Sequence, residues 1–100
     1  MVRQTDFSKG RRLKVTEMYL LAHWDPKLER EVKVWLGTGD VLVYHGQEQP
    51  TSLMLPQRSM VFHRYDVESQ RNRTLKPNTT LYIQPEVQKN LYRVFIVARD

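Results

Sequence analysis

The chain carries three histidines and no cysteine. Histidine is the side chain whose ordinary pKa lies nearest neutrality, so these residues are the first candidates for acid–base or metal chemistry. A zinc centre needs three or four ligands about 2 Å from the ion. His23, His45 and His63 show no short metal-binding spacing, and neither HxH nor HExxH occurs. Without cysteine there is no thiolate nucleophile, disulfide, zinc knuckle or iron–sulfur ligand. The expectation is no metal site and no cofactor.

A hydrolytic reading needs a nucleophile, a base and an orienting acid. Ser8, Ser52, Ser59 and Ser69 are present, but none lies in a GxSxG turn. His63 and Asp66 stand three apart in one extended run, which places them on opposite faces of a strand. His23 and Asp25 share a face, but Asp25 precedes Pro26 and reads as a cap. Glu29 and Glu31 belong to a charged turn. Gly37-Thr38-Gly39 lacks the spacing and following helix of a phosphate loop and reads as a hairpin turn. Asn72-Arg73-Thr74 and Asn78-Thr79-Thr80 match the glycosylation sequon, which matters only in a secreted eukaryotic protein. No reactive pair emerges, so a non-catalytic role is favoured over an enzyme.

Binding is better supported than catalysis. The formal net charge is +5. The surplus sits in two places. Arg3, Lys9, Arg11, Arg12 and Lys14 oppose only Asp6 near the start. Arg58, Arg64, Arg71, Arg73 and Lys76 oppose Asp66 and Glu68 past the middle. Such clustering suits polyanions. Arg11, Arg12, Arg71, Arg73 and Lys76 are the candidate polyanion-binding residues. Trp35 alternates into register with Lys33, Tyr82 falls opposite Leu81 and Ile83, and Phe95 shares a face with Arg93 and Arg99. These three rings are candidate aromatic contacts, on which bases of a single strand could stack, or with which another protein chain could pack.

The elements that must position these residues read as strands. Apolar positions are short, alternating and rich in β-branched and aromatic types between turn signals. Six strands are expected, over Leu13–Ala22, Glu31–Leu36, Val41–His45, Met60–Val67, Thr79–Gln84 and Leu91–Arg99. A change of apolar parity near Glu17 predicts a β-bulge. The second and third strands are expected to form a hairpin across Gly37–Asp40. Asp25–Arg30 has an N-cap aspartate and a proline at the first helical position, enough for one helical turn. Glu86–Asn90 is too short for a stable helix. The expected core includes Val34, Val43, Phe62, Ile83, Val94 and Ile96.

At 100 residues the chain is one domain's worth. The division expected is a basic N-terminal arm over residues 1–12, free to flex, and a single β domain over 13–100. The fold class expected is all-β, an antiparallel sandwich or partly open small barrel of about six strands. The longest apolar run, Met18–Ala22, is far short of the roughly 20 residues that span a bilayer, and no signal peptide is expected. Two functions compete. One is an interaction or assembly module working through a protein–protein or self-association interface. The other is a nucleic-acid-binding protein using the basic arm, the Ser69–Lys76 loop and exposed aromatics.

Overall fold

A computed structural model describes residues 2–49, 61–69, 76 and 78–98. The fold is all-β. Seven strands form one antiparallel sheet: β1 (Arg12–Val15), β2 (Tyr19–Asp25), β3 (Arg30–Leu36), β4 (Val41–Glu48), β5 (Phe62–Ser69), β6 (Thr80–Ile83) and β7 (Phe95–Val97). A single helical turn, α1 (Pro85–Gln88), and a 3-10 turn at Leu91–Arg93 lie between β6 and β7. The strand order is β3-β2-β6-β5-β4-β1-β7.

That order forces the sheet to curl. β1 and β2 occupy the sixth and second positions, yet only Thr16–Met18 separate them. The Cα atoms of Val15 and Tyr19 can be at most about 15 Å apart. Four flat interstrand spacings would require about 19 Å. The sheet therefore curls around its apolar face, as in a small open barrel or sandwich.

The expected strand over Leu13–Ala22 is two strands, not one bulged strand. The change of parity near Glu17 is real, but it marks a break. The Thr16 N–H and hydroxyl both donate to the Val94 carbonyl, at 2.7 and 2.8 Å, which ties the end of β1 beside β7, whereas β2 pairs with β3 and β6. The expected hairpin between Glu31–Leu36 and Val41–His45 is also corrected. β3 pairs with β2 over seven continuous positions, from Asp25↔Arg30 to Tyr19↔Leu36. Asp25 caps the connecting turn, its carboxylate accepting the Lys27 and Leu28 N–H groups at 2.9 and 3.3 Å. The turn that follows β3 is instead stitched to β1: the Gly39 N–H donates to the Val15 carbonyl and the Val15 N–H to the Asp40 carbonyl, each at 2.8 Å. Asp40 is fully buried and accepts the Gly37 N–H at 2.8 Å, and the turn leads into β4 beside β1.

The inner face carries Leu13, Val15, Leu21, Leu36, Leu42, Tyr44, Tyr65, Val67, Leu81 and Ile83, closed by Leu91, Val94 and Phe95. Each such side chain contributes roughly 1.5–3 kcal/mol through burial. Tyr65 donates its hydroxyl to the amide oxygen of buried Gln88, which fastens α1 to β5. Of the expected core, Phe62, Ile83 and Val94 are buried, whereas Val34 and Val43 are half-buried. Ile96 is a correction: it is 38% exposed, and Phe95 is the buried residue. Val94 lies in the turn before β7, where its N–H donates to the Leu91 carbonyl, so alternation counted from Val94 assigns the strand the wrong facing.

The N-terminal segment packs on this domain. Val2 is buried, with its N–H donating to the Tyr92 carbonyl at 3.1 Å. Phe7 meets Tyr44 and Tyr92 edge-on, with ring centroids 5.6 and 5.0 Å apart.

Candidate functional site

The alternation that puts Leu13, Leu42, Tyr65 and Leu81 inward sends Arg12, Lys14, Val43, Arg64, Asp66, Glu68, Thr80 and Tyr82 outward. Opposite charges meet across the strands on this outer face. Arg12 grips Glu68, its Nε 2.9 and 2.8 Å from the two carboxylate oxygens. Asp66 is the centre of a second group. His45 Nε2 lies 3.1 Å away, Arg64 Nε 3.3 Å, and the Thr80 hydroxyl donates at 3.0 Å. Arg64 also reaches Glu48 at 2.9 Å, and this paired carboxylate raises the pKa of the guanidinium further.

A β-bulge helps build this group. The ladder runs Tyr44↔Tyr65 and then Gln47↔His63, one residue out of step. Gly46 sits in the bulge at φ 87°, a left-handed conformation that glycine adopts without strain. His45 thereby reaches Asp66, and Glu48 lies opposite Phe62 on the face of Arg64. His45 and Asp66 are distant in sequence, so no short spacing reveals them as a His–acid pair. His63 and Asp66 do lie on opposite faces. A cleft of about 280 Å³ beside this group is lined by Lys9, His45, Gln47, Glu48 and Arg64.

His63 and Tyr44 form a separate pair, 2.7 Å from Nδ1 to the hydroxyl. Burial lowers the pKa of His63 and raises that of Tyr44. One hydrogen bond joins the imidazole and the hydroxyl, and the imidazole tautomer sets its donor. Burial also lowers the pKa of His23, against the opposing pull of Asp25. Among the described residues, no three histidine, aspartate or glutamate side chains converge as a metal site.

Of the candidate polyanion residues, Arg11, Arg12 and Lys76 are described. Arg12 is committed to Glu68. Arg11 is exposed where β1 begins, its carbonyl accepting the Tyr44 N–H. Lys76 is exposed in the connection between β5 and β6. Arg71 and Arg73 lie outside the described residues. β1 runs away from Arg11 toward the end of the sheet where β5 stops at Ser69, opposite Val41. A shallow cleft of about 380 Å³ lies at the arm itself, lined by Ser8, Lys9, Gly10, Arg11, Arg12, Val97 and Ala98.

The aromatic candidates divide likewise. Phe95 is fully buried beside Tyr65, so its ring is unavailable to a ligand; the inverted facing of β7 is the reason. Tyr82 is half-buried and meets Phe62 edge-on, while Trp24 stacks on the same Phe62 at 5.8 Å. Phe62 is thus buried on the outer face by its two neighbours. Trp35 is 48% exposed and sits directly opposite Leu20, itself 40% exposed, across the β2–β3 hairpin. Met18, just before β2, is 67% exposed. β3 is the last strand of the sheet order, so its outer edge has no strand partner among the described residues.

No family model, curated protein or solved structure matches this chain. Among the described residues, no helix is long and apolar enough to cross a membrane.

Proposed function

We propose that the protein is a non-catalytic interaction module that associates with protein, including its own copies, through the β2–β3 hairpin. The observation that carries this reading is the Leu20–Trp35 pair. Two large apolar side chains face each other across the outermost strands and remain 40% and 48% exposed. Removing such area from water is favourable, and aromatic anchors dominate protein interfaces. A strand edge beside the pair supplies the backbone groups by which extended chains add to a sheet.

The test is the mass of the protein in solution across concentration, by sedimentation or light scattering. Concentration-dependent association is expected, and Trp35→Ser with Leu20→Ser should abolish it without altering the far-ultraviolet circular dichroism. A wild type that stays monomeric and captures no partner in a way that depends on Trp35 would overturn the reading.

A second reading, binding of nucleic acid or another polyanion, is supported by the cleft that Lys9, Arg11 and Arg12 line. The pairing of Arg12 with Glu68 weighs against it. It predicts oligonucleotide binding that weakens steeply with salt, which an apolar interface does not show.

A further inference from the structure

The geometry points to a second copy of this chain as the occupant of the β3 edge, paired antiparallel with a twofold axis through Val32. The inference rests on the hairpin reading above and gives it a partner and a register. Edges resist pairing through a proline, a bulge or charged side chains. β3 has no proline and no bulge: its ladder to β2 is unbroken over seven positions, and no residue from Arg30 to Leu36 has positive φ. It does carry charge, with Arg30 on the face of Val32, Val34 and Leu36, and Glu31 and Lys33 on the other.

Charge selects among the possible registers. Residues directly opposite in an antiparallel pair point to the same face, so only every second register is allowed. With Lys33 on the axis, two lysines face each other. With Glu31 on the axis, two glutamates do. With Val32 on the axis, each Glu31 meets the Lys33 of the second copy, giving two reciprocal opposite-charge pairs. Both side chains are exposed, and neither forms an ion pair with a described residue. Cross-strand pairs of opposite charge stabilise sheets, and like charges directly opposite destabilise them.

The paired segment then runs from residue 30 to residue 34, and Trp35, 48% exposed on the face of Glu31 and Lys33, flanks it. The register with Val34 on the axis is free of like-charge contacts, setting Lys33 against Trp35, but it leaves Glu31 beyond the paired segment and its charge unmatched.

Sedimentation equilibrium of charge variants tests the register. Glu31→Lys and Lys33→Glu should each weaken self-association by about fivefold or more, and the double exchange should restore it to within about twofold. Because the chain contains no cysteine, single-cysteine variants give a second measurement. Oxidised Val32→Cys should form a disulfide-linked dimer efficiently, since opposed Cα atoms about 4.5–5.5 Å apart suit the bond. Lys33→Cys and Val34→Cys should not. If wild type associates and Trp35→Ser disrupts it, but Glu31→Lys is neutral or Val34→Cys crosslinks best, the register is wrong and the hairpin reading stands. If wild type is monomeric at every concentration, there is no second copy to pair and the inference fails outright. Heterologous binding that depends on Trp35 would in that case leave the broader hairpin reading standing.

Discussion

The Tyr44 hydroxyl lies 2.7 Å from Nδ1 of His63, joining neighbouring strands at the sheet end where the ladder slips by one residue. Burial depresses the pKa of His63, as it does that of His23. Below the ordinary histidine value of about 6.5, the unfolded chain then binds more protons than the folded one. Stability is therefore complete above that value and declines as pH falls toward the lowered pKa values. Thermal melts between about pH 7.5 and 5.5 should show this decline, and His63→Gln with His23→Gln should flatten it. A wild-type melting temperature independent of pH over that interval would contradict the assignment.

Tyr65→Phe should cost about 1–3 kcal/mol, because it leaves the buried amide of Gln88 without its partner. Tyr65→Phe combined with Gln88→Leu should recover part of that loss, since no buried polar group then goes unpaired. Urea denaturation of the three variants checks the cycle. Independent, additive losses would mean that the hydroxyl and the amide do not interact.

Phe95→Ala and Ile96→Ala should separate sharply. Phe95 is fully buried and its loss should cost about 3–5 kcal/mol. Ile96 is 38% exposed on the outer side of β7, and its truncation should cost less than about 1 kcal/mol. Equal effects in denaturant titrations would show that β7 does not face as described.

This pair of neighbours also marks how far the sequence could be read. Alternation of apolar and polar residues identified the β class and most strand positions, because one face of each strand must leave water. It could not fix the facing of β7, where Phe95, Ile96 and Val97 are all apolar and the preceding residues form a 3-10 turn. Nor could it find β3's true partner, which is β2. Gly37–Asp40 has hairpin composition, but its hydrogen bonds go to β1, and that preference depends on residues distant in sequence. His45 with Asp66, and Arg12 with Glu68, were hidden for the same reason. Trp35 was legible as an exposed ring because Lys33 shares its face.

Glu68→Gln tests what the outer-face pairing does to the basic residues. The Arg12–Glu68 pair is about one-third exposed at each end, so breaking it should change stability by no more than about 1 kcal/mol. Any affinity for polyanions should rise, because a negative charge is removed from beside Arg12. An oligonucleotide shift assay at low salt reads the effect. Binding that stays absent in both proteins removes the polyanion reading.

Gly46→Ala should destabilise by about 1 kcal/mol. An added Cβ would meet nothing within 4 Å, so the cost comes from the left-handed backbone rather than from crowding. A larger loss in thermal melts would mean that the bulge had closed and carried Glu48 inward.

The pairing of β1 with β7 has a consequence for biosynthesis. Val15 lies opposite Phe95, so the first strand to leave the ribosome completes its ladder with the last strand of the described sheet. Until residue 95 has emerged, the nascent chain holds Leu13 and Val15 without the lid that Leu91, Val94 and Phe95 provide. The ladder of β1 can therefore be completed only after β7 has been translated. A stalled or prematurely released chain ending before β7 would present an apolar strand edge to the cell's chaperones and proteases.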